Sequence, residues 1–208
     1  DGDGLEEIFV TNQEADEFYP YTLETAGFFN RNADGVWVEQ AAEVGLDEVR
    51  WSWSAVWVDQ DLDGVEELVV ATNPFNFPGD GGEVEFYDNG LYRQTPLTGS
   101  GSIAFEEDTT SWPGRDRPMH CIVRGDLDGD GDPDGVGLGT GPFATVWINE
   151  VETIHPNRQG LTVAVCGTHS NSEAIGTRIV LHNAGQAQQR TLRAGEDLFA
   201  QHSTSQFF

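Results

Sequence analysis

The sequence contains no lysine, and its ten strongly basic residues, all of them arginines, are opposed by 36 aspartates and glutamates. The formal net charge is therefore −26 with histidine counted as neutral. A chain with this charge repels the phosphates of nucleic acids and anionic lipid surfaces, so neither is expected as a partner. No apolar run approaches the length of a membrane span, so no membrane-spanning helix is predicted.

Patterns with a helical period are also scarce, and only residues 38–45 favour a short helical turn. Glycine is abundant at 25 residues, and short β-branched or aromatic runs are bounded by turn residues. Hydrophobic residues make up 38% of the chain and aromatic residues 11%, which is enough for a packed core rather than a disordered chain. These features predict an all-β protein.

Cysteine is limited to Cys121 and Cys166. A disulfide between them would fit an extracellular location, and two buried thiols on strands are the alternative. His120, the neighbour of Cys121, would point to the opposite face of a strand, which argues against a catalytic thiol–histidine pair.

The negative charge is concentrated in one part of the chain. Residues 1–150 hold 32 of the 36 acidic groups and six of the ten arginines, whereas residues 151–208 hold four of each. This change in composition predicts a boundary between an acidic domain and a small neutral β domain. Strands are predicted in the second part at residues 161–165, 175–181 and 186–193.

The densest group of carboxylates is Asp126-Leu127-Asp128-Gly129-Asp130-Gly131-Asp132-Pro133-Asp134. Like charges this close repel each other, and the stretch contains no arginine, so a hard divalent cation is the natural counter-charge. Calcium takes six to eight oxygen ligands, and glycine at the sixth position permits a sharp turn. The predicted ligands are the side chains of Asp126, Asp128, Asp130 and Asp134 and the backbone carbonyl of Asp132.

Two further copies of this loop are predicted. In the second copy, which starts 67 residues earlier, the predicted ligands are Asp59, Asp61, Asp63, the carbonyl of Val65, and Glu67. In the first copy they are Asp1, Asp3, the carbonyl of Leu5, and Glu7. The first ligand of that copy would precede residue 1, so we expect further chain upstream. The recurrence indicates an internal repeat.

The residues after the loops distinguish them from EF-hands. An EF-hand has a bidentate glutamate at position twelve, where a helix begins, whereas the twelfth positions here are Val70 and Gly137. Short apolar runs at residues 8–11 and 68–72 predict a strand after each loop. The glycine-rich residues 135–141 have no lysine after them and no helix pattern, so close strand packing is favoured over a phosphate-binding loop.

Trp51, Trp53 and Trp57 alternate with smaller residues before the second loop. They could form a platform for sugars, but core packing is favoured because the strand leads into a loop whose exit strand is apolar. Trp112 is the tryptophan expected to be most exposed. A polysaccharide-acting enzyme with a carboxylate pair is the other alternative. However, the clustered carboxylates already have ligand roles and no nucleophile elbow or zinc spacing occurs, so no catalytic residue is predicted.

The repeated Asp-x-Asp-x-Asp-Gly-x-x-Asp/Glu loops, each followed by a strand and by hairpin segments such as 28–32 and 91–93, resemble FG-GAP/VCBS repeats. These repeats form the blades of integrin-α-type β-propellers. Residues 167–179, with Gln189-Arg190 and Gly195 downstream, are similar to the ASPIC/UnbV domain that follows such blades in the cartilage acidic protein family. The resemblance covers nearly the whole chain.

This resemblance implies Ca²⁺ at the loop positions named above and an extracellular structural or adhesion protein. Glu7 and Glu67 depart from the aspartate of the family pattern, which implies weaker sites. Propellers generally close with four to eight blades, whereas this chain supplies about three repeats. We therefore expect either that most of the ring lies outside this chain, a partial propeller, or that the blades do not close and an exposed sheet edge must be covered. Because open edges pair with other chains, the expected partner is protein, in a homo-oligomer or an extracellular fibre that assembles through blade edges or the C-terminal domain. A glycan is the other expected partner.

Overall fold

The structure of the protein is a computed structural model. It describes residues 7–12, 25–49, 51–72, 88–96, 103–112, 114–139, 144–169, 171–183, 186–198 and 200–208. These segments contain strands and only two four-residue helices, so the predicted all-β class is confirmed. No helix in the described segments is long and apolar enough to cross a membrane.

The elements are β1 (Ile8–Val10), β2 (Gly27–Arg31), β3 (Trp37–Glu39), α1 (Ala41–Val44), β4 (Ser52–Val58), β5 (Glu67–Thr72), β6 (Gly90–Pro96), β7 (Ile103–Glu107), β8 (Cys121–Gly125), β9 (Asp134–Leu138), β10 (Ala144–Trp147), α2 (Val151–Ile154), β11 (Thr162–Val163), β12 (Arg178–Asn183), β13 (Gln186–Thr191) and β14 (Gln206–Phe207). The described strands pair in antiparallel fashion and form five open sheets, in the orders β1-β2-β3, β4-β5-β6-β7, β8-β9-β10, β11-β14 and β12-β13.

Three of these sheets repeat one arrangement, in which consecutive strands lie side by side. The acidic loop 59–67 connects β4 to β5, and the acidic loop 126–134 connects β8 to β9, so both loops occupy the same place in their sheets. β1 directly follows Glu7, the last position of the first predicted loop, and therefore corresponds to β5 and β9. The internal repeat indicated by the spacing of the loops is thus a repeat of the tertiary structure as well.

The middle sheet is packed on both faces, and β5 is buried along its whole length. Successive side chains of a strand point to opposite faces. On one face Leu68 and Val70 join a core with residues of β2, α1 and β7, and on the other Val69 and Ala71 join a core with residues of β6 and β8. Because both faces are covered, β5 has a continuous apolar sequence rather than an alternating one.

The aromatic hairpin expected near residue 30 is present as β2 and β3. Its turn is held by the side chain of Asn32, whose Oδ1 accepts the backbone N–H groups of Asp34 at 3.1 Å and Val36 at 2.9 Å. Gly35 has a φ of 76°, a conformation that favours glycine. The short helical turn predicted at residues 38–45 is confirmed as α1, which follows β3.

The strands predicted near residues 161, 175 and 186 are present as β11, β12 and β13. This C-terminal part hydrogen-bonds to β8, because the N–H of Ile122 donates to Asp197 at 2.9 Å and the N–H of Arg124 donates to Nδ1 of His202 at 3.3 Å. The division into domains at residue 150 stays a prediction.

The two cysteines do not form a disulfide. Cys121 is a buried free thiol on β8, and Cys166 is an exposed free thiol. The structure therefore differs from both sequence-based alternatives, because only one of the two thiols is buried.

Candidate metal centre

The acidic loop between β4 and β5 and the one between β8 and β9 share the same backbone form. Gly64 and Gly131, at the sixth position of their loops, have φ values of 95° and 101°, which glycine adopts without strain. In both loops the backbone N–H of the second residue donates to the carboxylate of the ninth, at 3.0 Å for Glu67 and 2.6 Å for Asp134. The loop sequence therefore determines a closed turn in which the first and last carboxylates lie near each other.

In the loop 126–134, the carboxylates of Asp126, Asp128 and Asp134 each place an oxygen within 4.8 Å of the others. Asp134 is buried, and Asp128 is exposed, so the group is open to solvent on one side. Backbone N–H groups hold Asp126 and Asp134 in place, at 2.7 Å from Gly129 and 2.8 Å from Asn149. No arginine or histidine within the described segments forms an ion pair with these three carboxylates, so the group could hold a metal ion.

The structure does not bring Asp130 into this group. Its carboxylate lies instead within 4.8 Å of those of Asp132 and Glu152. The predicted ligand set of this loop, in which Asp130 joins Asp126 and Asp132 contributes only its backbone carbonyl, stays a prediction. Glu152 was missed, because it belongs to α2 and reaches the loop only through tertiary folding.

In the loop 59–67, the carboxylates of Asp59, Asp61 and Asp63 lie within 4.8 Å of one another, as the spacing predicts. Glu67 is not part of the group and instead accepts the N–H of the second loop residue. The acidic loop 1–7 lies outside the described residues except for Glu7, so the predicted ligands Asp1, Asp3 and Leu5 have no structural description.

Arginines from distant parts of the chain neutralise the loop 59–67. Arg93 of β6 lies 2.9 Å from Asp61 and 3.4 Å from Glu67, and Arg158 lies 2.6 Å from Asp61. Arg190 of β13 lies 3.6 Å from the buried Asp59. A loop that contains no arginine of its own need not rely on a metal ion for its counter-charge. In this loop, the tertiary structure supplies part of that charge.

Burial raises the pKa of several of these carboxyl groups. The pKa of Asp59 is raised to about 6, although Arg190 opposes the shift, and that of Glu67 is raised to about 8. The pKa of Asp132 is raised to about 7 by burial, with Asp130 adding to the shift. Because a carboxylate must be deprotonated to bind a metal, cation binding at Asp59 or Asp132 is expected to release protons.

Trp51, Trp53 and Trp57 are each half-buried. Trp57 packs at 5.8 Å between ring centroids on Phe105 of the core, as favoured by the sequence. Trp112 is only 8% exposed and stacks on Trp147 at 5.7 Å, so the prediction that it would be the most exposed tryptophan is wrong. Trp147 in turn covers Gly135 of β9, which agrees with the close strand packing predicted for the glycine-rich run.

Every described group of three or more metal-ligating side chains consists of carboxylates alone. Such a donor set suits hard cations and offers no nitrogen or sulfur ligand for zinc or copper.

No protein-family model matches the chain, and no curated protein matches it either. The likeness to FG-GAP/VCBS repeats and to the ASPIC/UnbV domain therefore rests on the loops, the hairpins and the tail motif described above.

Proposed function

We propose that this chain is part of an extracellular Ca²⁺-binding structural or adhesion protein, with FG-GAP/VCBS-type blades followed by an ASPIC/UnbV-like domain. The observation that carries the proposal is the convergence of Asp126, Asp128 and Asp134 at the connection between β8 and β9, without a cationic partner among the described residues. Three carboxylates held this close repel one another strongly unless a cation lies between them.

Calcium fits this donor set better than magnesium. Calcium accepts six to eight oxygen ligands in flexible geometry, whereas magnesium requires a nearly ideal octahedron. The exposed side of the group at Asp128 leaves room for water ligands. In this proposal Asp126, Asp128 and Asp134 hold the ion, and the ion fixes the turn between β8 and β9.

The repeated architecture supports the blade assignment. Consecutive antiparallel strands, face-to-face packing of the sheets and an acidic loop at the same connection of two sheets are features that FG-GAP/VCBS repeats would have. A structural role follows from the effect of the ion, because a ligand that binds the folded chain stabilises it by mass action. Extracellular calcium modules bind with a Kd of about 10⁻⁴ to 10⁻³ M, which favours surroundings with millimolar calcium.

The proposed partners are further copies of the chain or another extracellular protein. The described sheets are open, and open edges pair readily with other strands. A carbohydrate-binding role is the alternative, and the proposal assigns no catalytic residue. Light scattering that shows a monomer at saturating calcium would contradict self-assembly and leave the calcium proposal intact.

The calcium proposal is tested by thermal unfolding with calcium or EDTA. At a calcium concentration about 100-fold above Kd, one site adds about 2.7 kcal/mol to the free energy of unfolding. For a chain of this size, each kcal/mol raises Tm by about 2 to 4 °C, so EDTA should lower Tm by about 5 to 10 °C for each site lost.

The matched variants are Asp128→Asn and Asp47→Asn. Asparagine at position 128 can still accept the N–H of Asp130, which lies 3.3 Å from Asp128 Oδ1, but it removes the charge. Asp47 is exposed and lies in no carboxylate group. Asp128→Asn should lose the stabilisation that this site provides, and Asp47→Asn should keep it. The proposal fails if wild type has the same Tm with calcium as with EDTA.

A further inference from the structure

A second group of carboxylates lies beside the proposed calcium loop, where the loop meets α2. The side chains of Asp130, Asp132 and Glu152 each place an oxygen within 4.8 Å of the others. They line a cavity of about 270 Å³ whose wall also includes Arg158 and Gly160. This group is distinct from Asp126, Asp128 and Asp134, although both include residues of the same loop.

The second observation is a buried oxygen without a partner. Asp132 is only 2% exposed, and its Oδ1 has no hydrogen-bond partner, while its Oδ2 accepts the backbone N–H of Val151 at 3.3 Å. A buried, unsatisfied carboxylate oxygen is costly. Asp132 lies in the wall of the cavity together with Asp130 and Glu152. A ligand bound between these three carboxylates would satisfy the unpaired oxygen.

The neighbouring charges favour a cation. Asp130, Asp132 and Glu152 all carry negative charge when ionised, and the arginine in the cavity wall, Arg158, points Nη1 at Asp61, 2.6 Å from its Oδ1. The positive charge of Arg158 is therefore shared with the other acidic loop. Glu152 is exposed, so an ion could enter from solvent and keep water ligands on that side.

We propose that Asp130, Asp132 and Glu152 form a second divalent-cation site, which joins the loop 126–134 to α2. The inference rests on the proposed function for the identity of the ion, Ca²⁺, which suits an all-oxygen site of this kind. Since Glu152 follows the proposed domain boundary, this ion attaches the C-terminal part to the acidic part.

The test is a count of bound Ca²⁺ per chain by equilibrium dialysis at pH 8, on the whole chain, for wild type and single variants. Glu152→Gln removes the charge of the only ligand of the second group outside the loop, and Asp126→Asn removes the charge of a ligand of the first group. Glu150→Gln is the matched control, because Glu150 is exposed, lies two residues away and makes no side-chain cap to α2. Circular dichroism verifies that each variant is folded.

We expect Glu152→Gln to lose one ion, Asp126→Asn to lose a different ion, and the double variant to lose both. Even outer-shell partners contribute about 10- to 100-fold to metal affinity, so the ion lost in Glu152→Gln should bind at least about tenfold more weakly. Glu150→Gln should bind as wild type does.

The inference is overturned if Glu152→Gln binds as many ions as Glu150→Gln with the same affinity. It is also overturned if Glu152→Gln and Asp126→Asn lose the same single ion, so that the double variant loses no more than either. If Asp126→Asn binds like wild type, the proposed calcium loop fails instead, and the comparison of Glu152→Gln with Glu150→Gln still decides the second site.

Discussion

Replacement of Arg190 by methionine tests the finding that arginine neutralises one of the acidic loops. Arg190 is 8% exposed, with Nη2 at 3.6 Å from Asp59 and Nε at 3.3 Å from Glu66. Its guanidinium also lies over the ring of Phe208, 5.3 Å from the centroid. Methionine has a similar volume and keeps the contact with Phe208, so the change mainly removes the charge.

The expected loss of stability follows from the burial of Asp59, which is only 3% exposed. Removal of one partner from a buried ion pair typically costs about 3 to 5 kcal/mol, because the other charge stays buried and uncompensated. The lower end applies here, since Arg190 and Asp59 are 3.6 Å apart and Nη2 makes no hydrogen bond. A loss of about 3 kcal/mol should lower Tm by about 6 to 12 °C.

The loss should depend on pH and on calcium. Burial raises the folded-state pKa of Asp59 to about 6 from a usual value of 3.8, so the folded state binds this proton more tightly than the unfolded state. The associated stability is complete below pH 3.8 and is lost as the pH rises through 6. Arg190→Met should therefore be more damaging at pH 8 than at pH 5, and calcium should recover part of the loss by replacing the missing positive charge.

The assay is urea unfolding at pH 5 and pH 8, with EDTA or with calcium. Arg117→Met is the control, because the side chain of Arg117 is 67% exposed and its only described ion pair is with the neighbouring Asp116 at 3.9 Å. Exposed substitutions of this kind usually change stability by less than about 0.5 kcal/mol. The reasoning is refuted if Arg190→Met and Arg117→Met unfold at the same urea concentration in EDTA at pH 8.

Three further predictions concern other parts of the chain. Burial lowers the pKa of His202 to about 4 from 6.5, so the unfolded state binds the proton more tightly than the folded state does. The free energy of unfolding should therefore fall by about 3 kcal/mol as the pH falls from 6.5 to 4. His202→Asn should abolish this pH dependence in urea titrations. Gly139→Ala should lower the free energy of unfolding by about 1 to 3 kcal/mol, because a Cβ at this position would overlap the backbone carbonyl of Pro118. An unchanged urea midpoint would contradict this prediction. Cys166 should react with a thiol reagent much faster than Cys121, because Cys166 is exposed, whereas burial shields the thiol of Cys121 and raises its pKa. Equal rates in native protein would argue against the burial of Cys121.

The local features of the fold could be predicted because short stretches of sequence determine them. Aspartates at alternate positions with a glycine at the sixth place determine the closed loops, and the apolar run after each loop determines a strand. The hairpin of β2 and β3 follows from Asn32 and Gly35, whose conformations are set within the turn itself. Even the repeat could be detected, since it is a recurrence along the chain.

The side-chain partners could not be predicted in the same way. Asp61 is paired with Arg93 and Arg158, which lie 32 and 97 residues further along the chain. Trp112 lies in a segment whose sequence is typical of an exposed loop, and its burial depends on the ring of Trp147. Neither pairing leaves a signal in the spacing of residues.

The sequence by itself determined that the protein is all-β, that it carries acidic turns spaced as repeats, and that these turns hold their carboxylates close together. Hydrogen bonds and backbone conformations within a few residues are sufficient for that. Only the tertiary structure decided which turn receives arginines, which turn keeps its carboxylates without them, and that Glu152 joins Asp130 and Asp132. Charge interactions act through space, and the chain must fold before distant arginines and carboxylates meet.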